Sequence, residues 1–235
     1  MLKILQVTLQ DFSRPQLREK LKKIILNDAF THIATVNPEF LVSAQKNKKF
    51  LNLLQNTLNI CDGFGIKVLA KLFHQKNITR ITGVELAEMI CKTAAETHQS
   101  VFFLGGQGVA GKAAQAMQLK YKNLKIAGSL DGDENSFEEI KKTSPDIILV
   151  AFGAPKQEFW ISEKASQIPS LKLAIGVGGT FDFWASKVKR APKIMQKTGL
   201  EWLWRLCQEP LKRAPRIWKA VVVFPCLALK EKFKK

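Results

Sequence analysis

The chain has 235 residues and carries 37 Lys and Arg against 20 Asp and Glu, a net charge of +17. Its 46% hydrophobic and 24% charged residues are the usual mixture of folded globular proteins, which excludes a disordered, collagen-like or coiled-coil chain. At roughly 150 residues per domain, the length suits one large domain or two small ones. Most of the excess charge lies at the C-terminal end, where residues 186–235 hold 14 basic and 3 acidic side chains.

Four cysteines, Cys61, Cys91, Cys207 and Cys226, form no CxxC pair and no Cys/His cluster, so the sequence indicates neither a zinc site nor a disulfide scaffold. A reducing cytoplasm fits this usage. The first residues lack a charged start followed by a long apolar run, so we expect no secretion signal. The longest apolar stretch, residues 220–229, is much shorter than the roughly 20 residues that cross a bilayer.

The first hundred residues predict short apolar strands between amphipathic helices. In chain order these are a helix near residues 13–25, a strand at 33–36, a helix from Pro38, a strand at Leu58–Cys61 and a helix after Thr82. The helix from Pro38 is predicted because Asn37 can cap it and proline favours the first helical turn.

From residue 100 onward, strands and helices alternate regularly. The predicted strands are 101–104, 124–127, 147–152 and 173–177, and the predicted helices are 108–121, 135–142 and 156–165. Alternation of this kind indicates a doubly wound parallel sheet, and the uninterrupted apolar strands indicate that helices cover both of its faces.

No strand is evident beyond residue 181, and residues 199–229 predict basic amphipathic helices. We therefore divide the chain into an α/β core over 1–195 and a basic helical C-terminal appendage over 196–235. Within the core, residues 1–98 are expected to form an acceptor and catalytic half, and residues 99–195 a nucleotide-binding half.

Gly106, Gly108 and Gly111 form a GxGxxG pattern directly after a predicted strand, and Asp131 follows the next strand. Glycines at such a turn let backbone N–H groups at a helix N-terminus approach a phosphate, and the Asp131 carboxylate can bind ribose hydroxyls. A tight turn between strand and helix also needs glycine for conformational reasons alone. The pattern favours nucleotide binding and leaves the purely structural explanation open.

The acidic turn at Asp131, Asp133 and Glu134 resembles the metal-binding motif of many sugar-nucleotide enzymes. An acidic turn before a helix serves equally well as a helix cap, and we favour the cap. Residues 106–112 nearly form a P-loop, but Ala113 replaces the Ser or Thr whose hydroxyl would hold magnesium. The sequence therefore argues against a kinase or NTPase, and we predict no metal site.

Further polar or glycine-rich segments follow the other predicted strands. Thr35 and Asn37 end one strand, Asp62 ends another, and residues 153–158 and 176–182 follow two more. Open α/β sheets bind ligands at the carboxyl ends of their strands. A helix cap at Asn37 or a turn at Asp62 explains either residue alone, whereas several such loops converging on one sheet edge indicate a binding crevice.

Eight motifs stand in order along the chain: Thr35-x-Asn37-Pro-Glu39, Asp62-Gly63-x-Gly65, Arg80-x-Thr82-Gly83, Val101-Phe-Phe-Leu-Gly-Gly106, Ala154-Pro-Lys-Gln157-Glu158, Gly176-Val-Gly-Gly179-x-Phe-Asp182, Arg190-Ala-Pro192 and Gly199-Leu-Glu-Trp-Leu203. In these motifs and their order, residues 30–216 resemble the WecG/TagA/CpsF glycosyltransferases. The sequence departs from the family pattern at Ser186, where glycine is usual.

The resemblance implies a Rossmann-like bacterial enzyme of cell-surface polysaccharide or teichoic acid synthesis. Such an enzyme moves a sugar, often N-acetylmannosamine or a related hexose, from a UDP-sugar to a sugar carried on undecaprenyl diphosphate. Inversion at the anomeric carbon is expected, and no metal or other cofactor is required.

Carried over to matching positions, the resemblance makes Asp62 the general base. The residues expected to line the substrate pocket are Thr35, Asn37, Arg80 and Gln157. The C-terminal residues expected to meet the acceptor diphosphate are Arg205, Arg213 and Arg216. The residues expected to bind the nucleotide are Gly105, Gly106, Gly108, Asp131, Gly153, Lys156, Gly178, Gly179 and Asp182.

The basic residues near the C-terminus are interleaved with large apolar ones, among them Trp202, Trp218 and Phe224. This mixture is typical of a helix that lies on an anionic lipid surface. We therefore expect a cytoplasmic enzyme that binds peripherally to the inner face of the bacterial cell membrane. The oligomeric state is left open, a homo-oligomer included.

Two other function classes compete with a glycosyltransferase. A Rossmann-type, nicotinamide-dependent oxidoreductase is supported by the GxGxxG pattern and Asp131 alone, and it gives no reason for the basic tail. A nucleic-acid binder has only the charge of +17 in its favour, without a zinc finger or an RNA-binding aromatic motif, so we expect no nucleic-acid partner.

Overall fold

The protein is described by a computed structural model over residues 1–132 and 136–233. Within these residues the strands are β1 (Leu2–Ile4), β2 (Val7–Leu9), β3 (Thr31–Val36), β4 (Leu58–Cys61), β5 (Ser100–Gly105), β6 (Lys125–Leu130), β7 (Ile147–Ala151) and β8 (Leu173–Gly176). β1 and β2 form an antiparallel hairpin, and the other strands form a single parallel sheet.

The helices begin with α1 (Arg14–Ile25), α2 (Pro38–Lys46), α3 (Lys48–Gln55), α4 (Phe64–His74), α5 (Gly83–Thr97), α6 (Ala110–Lys120), α7 (Phe137–Lys142), α8 (Lys156–Glu163) and α9 (Thr180–Trp184). The C-terminal helices are α10 (Lys193–Thr198), α11 (Glu201–Gln208), α12 (Pro210–Trp218) and α13 (Phe224–Phe233), with a π-helical segment at Lys219–Val223 between the last two. The predicted α/β fold and the helical C-terminal end are therefore confirmed.

The strand order of the parallel sheet is β4-β3-β8-β7-β5-β6. After β5 the chain continues to β6, toward one edge of the sheet. After β7 it continues to β8, in the direction of the other edge. The carboxyl ends of β5 and β7 therefore border a topological switch point, the position where open α/β sheets bind their ligands.

Alternate residues of the central strands enter hydrophobic cores on opposite faces of the sheet. Phe103 and Leu149 pack in one core together with residues of α1, α5 and α6. Phe102 and Val150 pack on the other face with residues of α7 and α8. Because both faces are buried there, each central strand needs apolar side chains on both sides, which explains the uninterrupted apolar runs.

The N-terminal hairpin is absent from the sequence predictions, although β1 and β2 have a visible alternation of buried residues. Its turn places Leu5 and Gln6 at φ angles of 47° and 68° without the Asn-Gly or Asp-Gly pair that usually marks such a turn. A hydrogen bond from the Gln10 N–H to the Asn59 carbonyl then joins the hairpin to β4. The sequence predictions also missed α3 and α4.

Several predicted boundaries also differ in the region after β5. The strand predicted at 124–127 extends to Leu130, and the helix predicted at 108–121 begins at Ala110. The helix predicted from Asn135 is observed from Phe137, and Asn135 itself lies outside the described residues.

The C-terminal helices fold back onto the first half of the chain. Phe224 is fully buried in a core that also contains residues of the hairpin and of α2, α3 and α4, and Ala228 joins the same core. The Glu231 carboxylate accepts a hydrogen bond of 2.8 Å from the Leu5 N–H. Part of the predicted appendage therefore contributes to the folded core, while the proposed division at residue 195 stays a prediction.

Candidate functional site

Asp62 lies directly after β4 at the carboxyl edge of the sheet. Its Oδ2 accepts a hydrogen bond of 3.1 Å from the Gly83 N–H, the first residue of α5. Although 26% of its side chain is accessible, the surrounding protein atoms desolvate the carboxyl and raise its pKa to about 6, against opposing effects of Arg80 and the Gly83 N–H. Asp62 is therefore a carboxylate that can accept a proton near neutral pH.

Arg80 is held against Asp62 mainly through the backbone. Its Nε donates to the Asp62 carbonyl at 2.7 Å, its Nη1 donates to the Gln196 carbonyl at 3.1 Å, and its Nη2 lies 4.0 Å from Asp62 Oδ1. The guanidinium thus joins the loop before α5, the end of β4 and α10. It also brings a fixed positive charge to the same recess.

Thr35 and Asn37 flank this group from the end of β3. A methyl group placed on Gly83 would lie 3.5 Å from Thr35 Oγ1 and 3.7 Å from Asp62 Oδ2, so these side chains meet at the start of α5. Asn37 Oδ1 accepts from the Phe40 N–H at 3.1 Å and caps α2, as the sequence predicts. Asn37 follows Val36, whose carbonyl accepts from the Asp62 N–H at 2.9 Å, so it also lies beside Asp62. Thr35, Asn37, Asp62 and Arg80 are here called the Asp62 cluster.

Two charged residues near Asp62 were missed as site residues in the sequence. Arg190 Nε lies 3.3 Å from Glu201 Oε1, and Arg190 Nη2 lies 3.5 Å from Thr82 Oγ1. Glu201 raises the pKa of Asp62 and Arg190 lowers it. Both residues belong to motifs quoted above, but their spacing along the chain carries no sign that they lie close to Asp62.

The loops after β5, β7 and β8 converge at the switch point and are here called the glycine loops. Gly106 has a φ of 96°, and a methyl group there would lie 2.9 Å from Val109 and 3.0 Å from the Phe181 ring, so only glycine fits. By contrast, open space surrounds the position of a methyl group on Gly153 or Gly178. The backbone is therefore accessible at these two loops.

Asp131 caps a different helix from the one predicted. Its Oδ1 accepts a hydrogen bond of 2.9 Å from the Ala110 N–H, the first residue of α6. The carboxylate therefore stabilises the helix that follows the GxGxxG loop and not α7. Asp133 and Glu134, the other members of the acidic turn, lie outside the described residues. A ribose contact by Asp131 stays a prediction.

The remaining predicted nucleotide-binding residues also lie at the glycine loops. Gly105 pairs in register with Ala151, which places the loops after β5 and β7 side by side. Lys156 opens α8 with its Nζ 5.6 Å from the centre of the Phe152 ring, and Asp182 lies in the first turn of α9.

Gln157 is almost fully buried beneath the glycine loops, with 3% of its surface exposed. Its Oε1 accepts from the Gly153 N–H at 3.0 Å and the Gly178 N–H at 3.2 Å, and its Nε2 donates to Glu158 at 3.0 Å. The structure therefore joins Gln157 to the glycine loops. Contact between this side chain and a substrate stays a prediction.

The C-terminal arginines extend from the glycine loops to α2. A methyl group on Gly179 would lie 3.2 Å from the Arg205 guanidinium, whose centre stacks 4.8 Å from the Phe183 ring. Arg213 Nη2 lies 3.0 Å from Glu209 Oε2, and this carboxylate oxygen is also 3.6 Å from Arg205 Nη2.

Arg216 completes this basic edge by pairing with Glu39 at 2.7 Å. The Arg205 Nε is buried and has no hydrogen-bond partner within the described residues. Burial, together with the neighbouring Arg213, lowers the pKa of Arg205. A line of guanidinium groups therefore borders the sheet edge, a chemistry suited to phosphate oxygens.

Two other kinds of feature are absent from residues 1–132 and 136–233. In that part of the chain, no three His, Cys, Asp or Glu side chains come together in a way that could bind a metal ion. None of the helices described there combines the length and apolar character of a membrane span.

Known proteins are similar in sequence to this chain over nearly its whole length. Residues 2–235 match the model of the glycosyl transferase WecG/TagA/CpsF family. Similar curated proteins include the N-acetylglucosaminyldiphosphoundecaprenol N-acetyl-beta-D-mannosaminyltransferases of Staphylococcus aureus strains MRSA252, at 35% identity, and MW2, at 34% identity. Each alignment covers 98% of this chain and 93% of the relative.

Proposed function

We propose that this chain, which belongs to the WecG/TagA/CpsF family of glycosyltransferases, transfers N-acetylmannosamine or a related hexose from a UDP-sugar. The proposed acceptor is a sugar carried on undecaprenyl diphosphate, and the product serves cell-surface polysaccharide or teichoic acid synthesis. The names of the Staphylococcus aureus relatives support both the transferred sugar and the acceptor. Their beta linkage, formed from an alpha-linked UDP-sugar, would require inversion at the anomeric carbon.

The observation that carries this proposal is the position of Asp62 at the carboxyl edge of the sheet, together with its raised pKa. A sugar hydroxyl is a weak nucleophile until its proton is removed, and a well-placed general base contributes about 10²–10⁴-fold in rate. With a pKa raised to about 6, Asp62 is mostly ionised at pH 7 and yet more basic than an ordinary aspartate. In the proposed step, the acceptor oxygen bonds to the anomeric carbon, the bond from that carbon to UDP breaks, and Asp62 takes the hydroxyl proton.

The departing UDP needs groups that stabilise its negative charge. The glycine loops leave open space beside Gly153 and Gly178, whose own N–H groups donate to Gln157, and the switch point at β5 and β7 is the usual ligand position in such sheets. Arg80 adds a positive charge beside Asp62. Donor orientation is therefore assigned to these loops, and leaving-group stabilisation is assigned to this arginine.

The acceptor diphosphate is assigned to the C-terminal arginines. Arg205, Arg213 and Arg216 form a basic line between Gly179 and Glu39. Guanidinium groups match phosphate oxygens in a bidentate manner, and an incoming diphosphate could displace carboxylate partners such as Glu39.

We also propose that the C-terminal helices hold the enzyme on the anionic inner face of the cell membrane. Several of their large apolar side chains are exposed, among them Leu211 at 93% and Trp218 at 63%. Phe64, Val68 and Leu72 form an exposed stripe on α4, and a methyl group on Gly199 would touch the Phe64 ring. Apolar groups beside an excess of basic residues favour an anionic lipid surface, where a polyprenyl-linked acceptor would reside.

The proposed reaction proceeds without a metal ion. Arginines would carry the diphosphate charge that a divalent cation carries in other enzymes. We expect activity to survive treatment with EDTA. Complete loss of activity that manganese or magnesium restores would contradict this part of the proposal and return attention to the acidic turn at Asp131.

The decisive experiment combines a panel of UDP-sugars with a short-chain polyprenyl-diphosphate N-acetylglucosamine acceptor. Mass spectrometry would identify the product, and NMR would give its anomeric configuration. A β-linked disaccharide formed from UDP-N-acetylmannosamine is the expected result. Failure of every UDP-sugar, together with a rise in melting temperature with NAD but not with UDP, would favour the oxidoreductase alternative instead.

A further inference from the structure

A buried chain of side chains runs beneath the glycine loops from Gln157 through Glu158 to His32. Glu158 is fully buried and His32 is only 8% exposed. Glu158 Oε2 lies 2.6 Å from His32 Nε2, and Glu158 Oε1 accepts from Gln157 Nε2 at 3.0 Å. A carboxyl group removed from water in this way is costly unless it is paired, so the network is a specific arrangement of partners.

The orientation of the Gln157 amide depends on Glu158. A carboxylate can only accept, so it requires the NH₂ end of the amide to face it. The carbonyl end must then face the two backbone N–H groups of Gly153 and Gly178, which need an acceptor. Without Glu158, the amide could rotate by half a turn and present hydrogens to those donors, which would separate the two loops.

The end of β8 packs tightly against this pair. A methyl group on Gly176 would clash with both Gln157 Nε2 and Glu158 Oε1. His32 comes from β3, Glu158 and Gln157 come from α8, and the bonded N–H groups belong to the loops after β7 and β8. The network therefore links two neighbouring strands and a helix to the spacing of two glycine loops.

We infer that Glu158, held by His32, is a positioning residue for donor binding that acts through Gln157. It sets the separation of the Gly153 and Gly178 loops, whose open faces are the proposed contact surface for a nucleoside diphosphate. This inference rests on the proposed function for the identity of the ligand. It assigns Glu158 no contact with the substrate and no part in proton transfer.

The test compares Glu158→Leu, which removes the acceptor, with Glu158→Gln, which keeps an acceptor for Gln157 and can donate to a neutral His32. UDP is the probe, and calorimetry measures its Kd. Because the Gln157 amide loses its acceptor, the Kd for UDP is expected to rise about tenfold in Glu158→Leu. It should rise by less than about threefold in Glu158→Gln. The KM for the acceptor, and the kcat at saturating donor, should change little in both variants.

A control variant separates positioning from general loss of stability. Asn59 is as buried as Gln157, and its Nδ2 donates to the Thr8 and Leu54 carbonyls, away from the glycine loops. Asn59→Leu should lower the melting temperature without changing the Kd for UDP. Equal UDP affinity in folded Glu158→Leu and in the wild type would overturn the inference.

A reciprocal exchange covers the case in which Glu158→Leu does not fold. Gln157→Glu places two carboxylates side by side and should weaken UDP binding at neutral pH. Adding Glu158→Gln to it rebuilds the same pattern, because Glu at 157 accepts from both loops and Gln at 158 donates to it. Recovery of UDP affinity in the double variant is expected, and a double variant no better than Gln157→Glu contradicts the inference.

Hydrogen exchange measured without nucleotide tests the positioning role of Glu158 separately from the proposed UDP-sugar donor. Hydrogen exchange at the Gly153 and Gly178 amides should be faster in Gln157→Glu than in the wild type and should slow again in the double variant. Absence of UDP binding by the wild type would overturn the proposed donor, and the exchange rates would still decide whether the network holds the loops. Unchanged exchange rates would overturn the positioning role itself.

Discussion

The Asp62 cluster and the glycine loops lie at the same sheet edge but consist of different kinds of chemical group. At the Asp62 cluster, charged side chains from distant segments meet, with Arg80 bound to the Asp62 carbonyl and Glu201 paired with Arg190 nearby. At the glycine loops, the polar atoms are mainly backbone N–H groups, fixed by close packing and by the buried Gln157.

This difference predicts two kinds of mutational response. Charge changes near Asp62 alter the pKa of one carboxyl, so they should act on turnover and on its pH dependence. Changes at the glycine loops alter the placement of backbone groups, so they should act on donor affinity. A variant of one region that produces the response of the other would break the distinction.

The largest effect is expected from Asp62→Asn. The amide can still accept from the Gly83 N–H, but it cannot take the acceptor proton, so kcat should fall by about 10²–10⁴-fold. The Kd for UDP should remain within a few-fold of the wild type. Steady-state kinetics and calorimetry on the same preparation would measure both quantities.

Stability provides the control for Asp62→Asn. Folding raises the pKa of Asp62 from 3.8 to about 6, so the folded state binds its proton more tightly than the unfolded state. This stabilisation is therefore fully present below about pH 4 and is lost as the pH rises through about 6. The asparagine variant should have an equal or higher Tm than the wild type at pH 7.5. Near wild-type turnover would remove Asp62 from the role of base.

The two regions also differ in how far sequence alone could predict them. The glycine loops follow directly after strands whose apolar runs are evident, so their convergence was predictable from local patterns. The environment of Asp62 was not, because Arg190 and Glu201 reach it only through the packing of α10 and α11. Asp131 shows the same limit. Its position in an acidic turn before α7 predicts a cap for that helix, but its carboxylate caps α6, which precedes it in the chain.

A second prediction separates both regions from the proposed membrane surface. Replacing Leu211 and Trp218 by serine removes two exposed apolar groups that make no contribution to the buried core. Because burying one large apolar side chain contributes about 1.5–3 kcal/mol, partitioning to anionic vesicles should fall at least about tenfold. Vesicle sedimentation would measure this, and turnover of a water-soluble short-chain acceptor should be retained.

The matched control is Leu119→Ser, which changes another exposed leucine, on α6. This variant should sediment with vesicles as the wild type does. Raising the salt concentration should also weaken binding of the wild type, since surface charges are screened beyond about 8 Å at physiological ionic strength. Unchanged vesicle binding in the Leu211 and Trp218 double variant would contradict the proposed surface.

A smaller effect is expected from Glu201→Gln, which keeps an acceptor for Arg190 and removes one negative charge. Glu201 raises the pKa of Asp62, so its neutralisation should lower that pKa. Since activity requires ionised Asp62, the acidic limb of kcat/KM should move to lower pH by an amount on the order of a few tenths of a unit. Glu96→Gln, in an exposed pair with Arg18, should leave the limb in place, and a shift to higher pH in Glu201→Gln would contradict the argument.

The smallest predicted effect tests backbone strain beside the glycine loops. Ser186 has a φ of 57°, which lies in the left-handed region that glycine adopts without steric cost. Ser186→Gly should relieve this strain, while the greater freedom of glycine in the unfolded chain offsets part of the gain. We expect the free energy of unfolding to rise by about 0.5 kcal/mol, or the Tm by about 1–2 °C. Thermal unfolding of Ser186→Ala, which keeps a Cβ at the same φ, should show no such rise, and a lower Tm for the glycine variant would mean that the serine conformation is not strained.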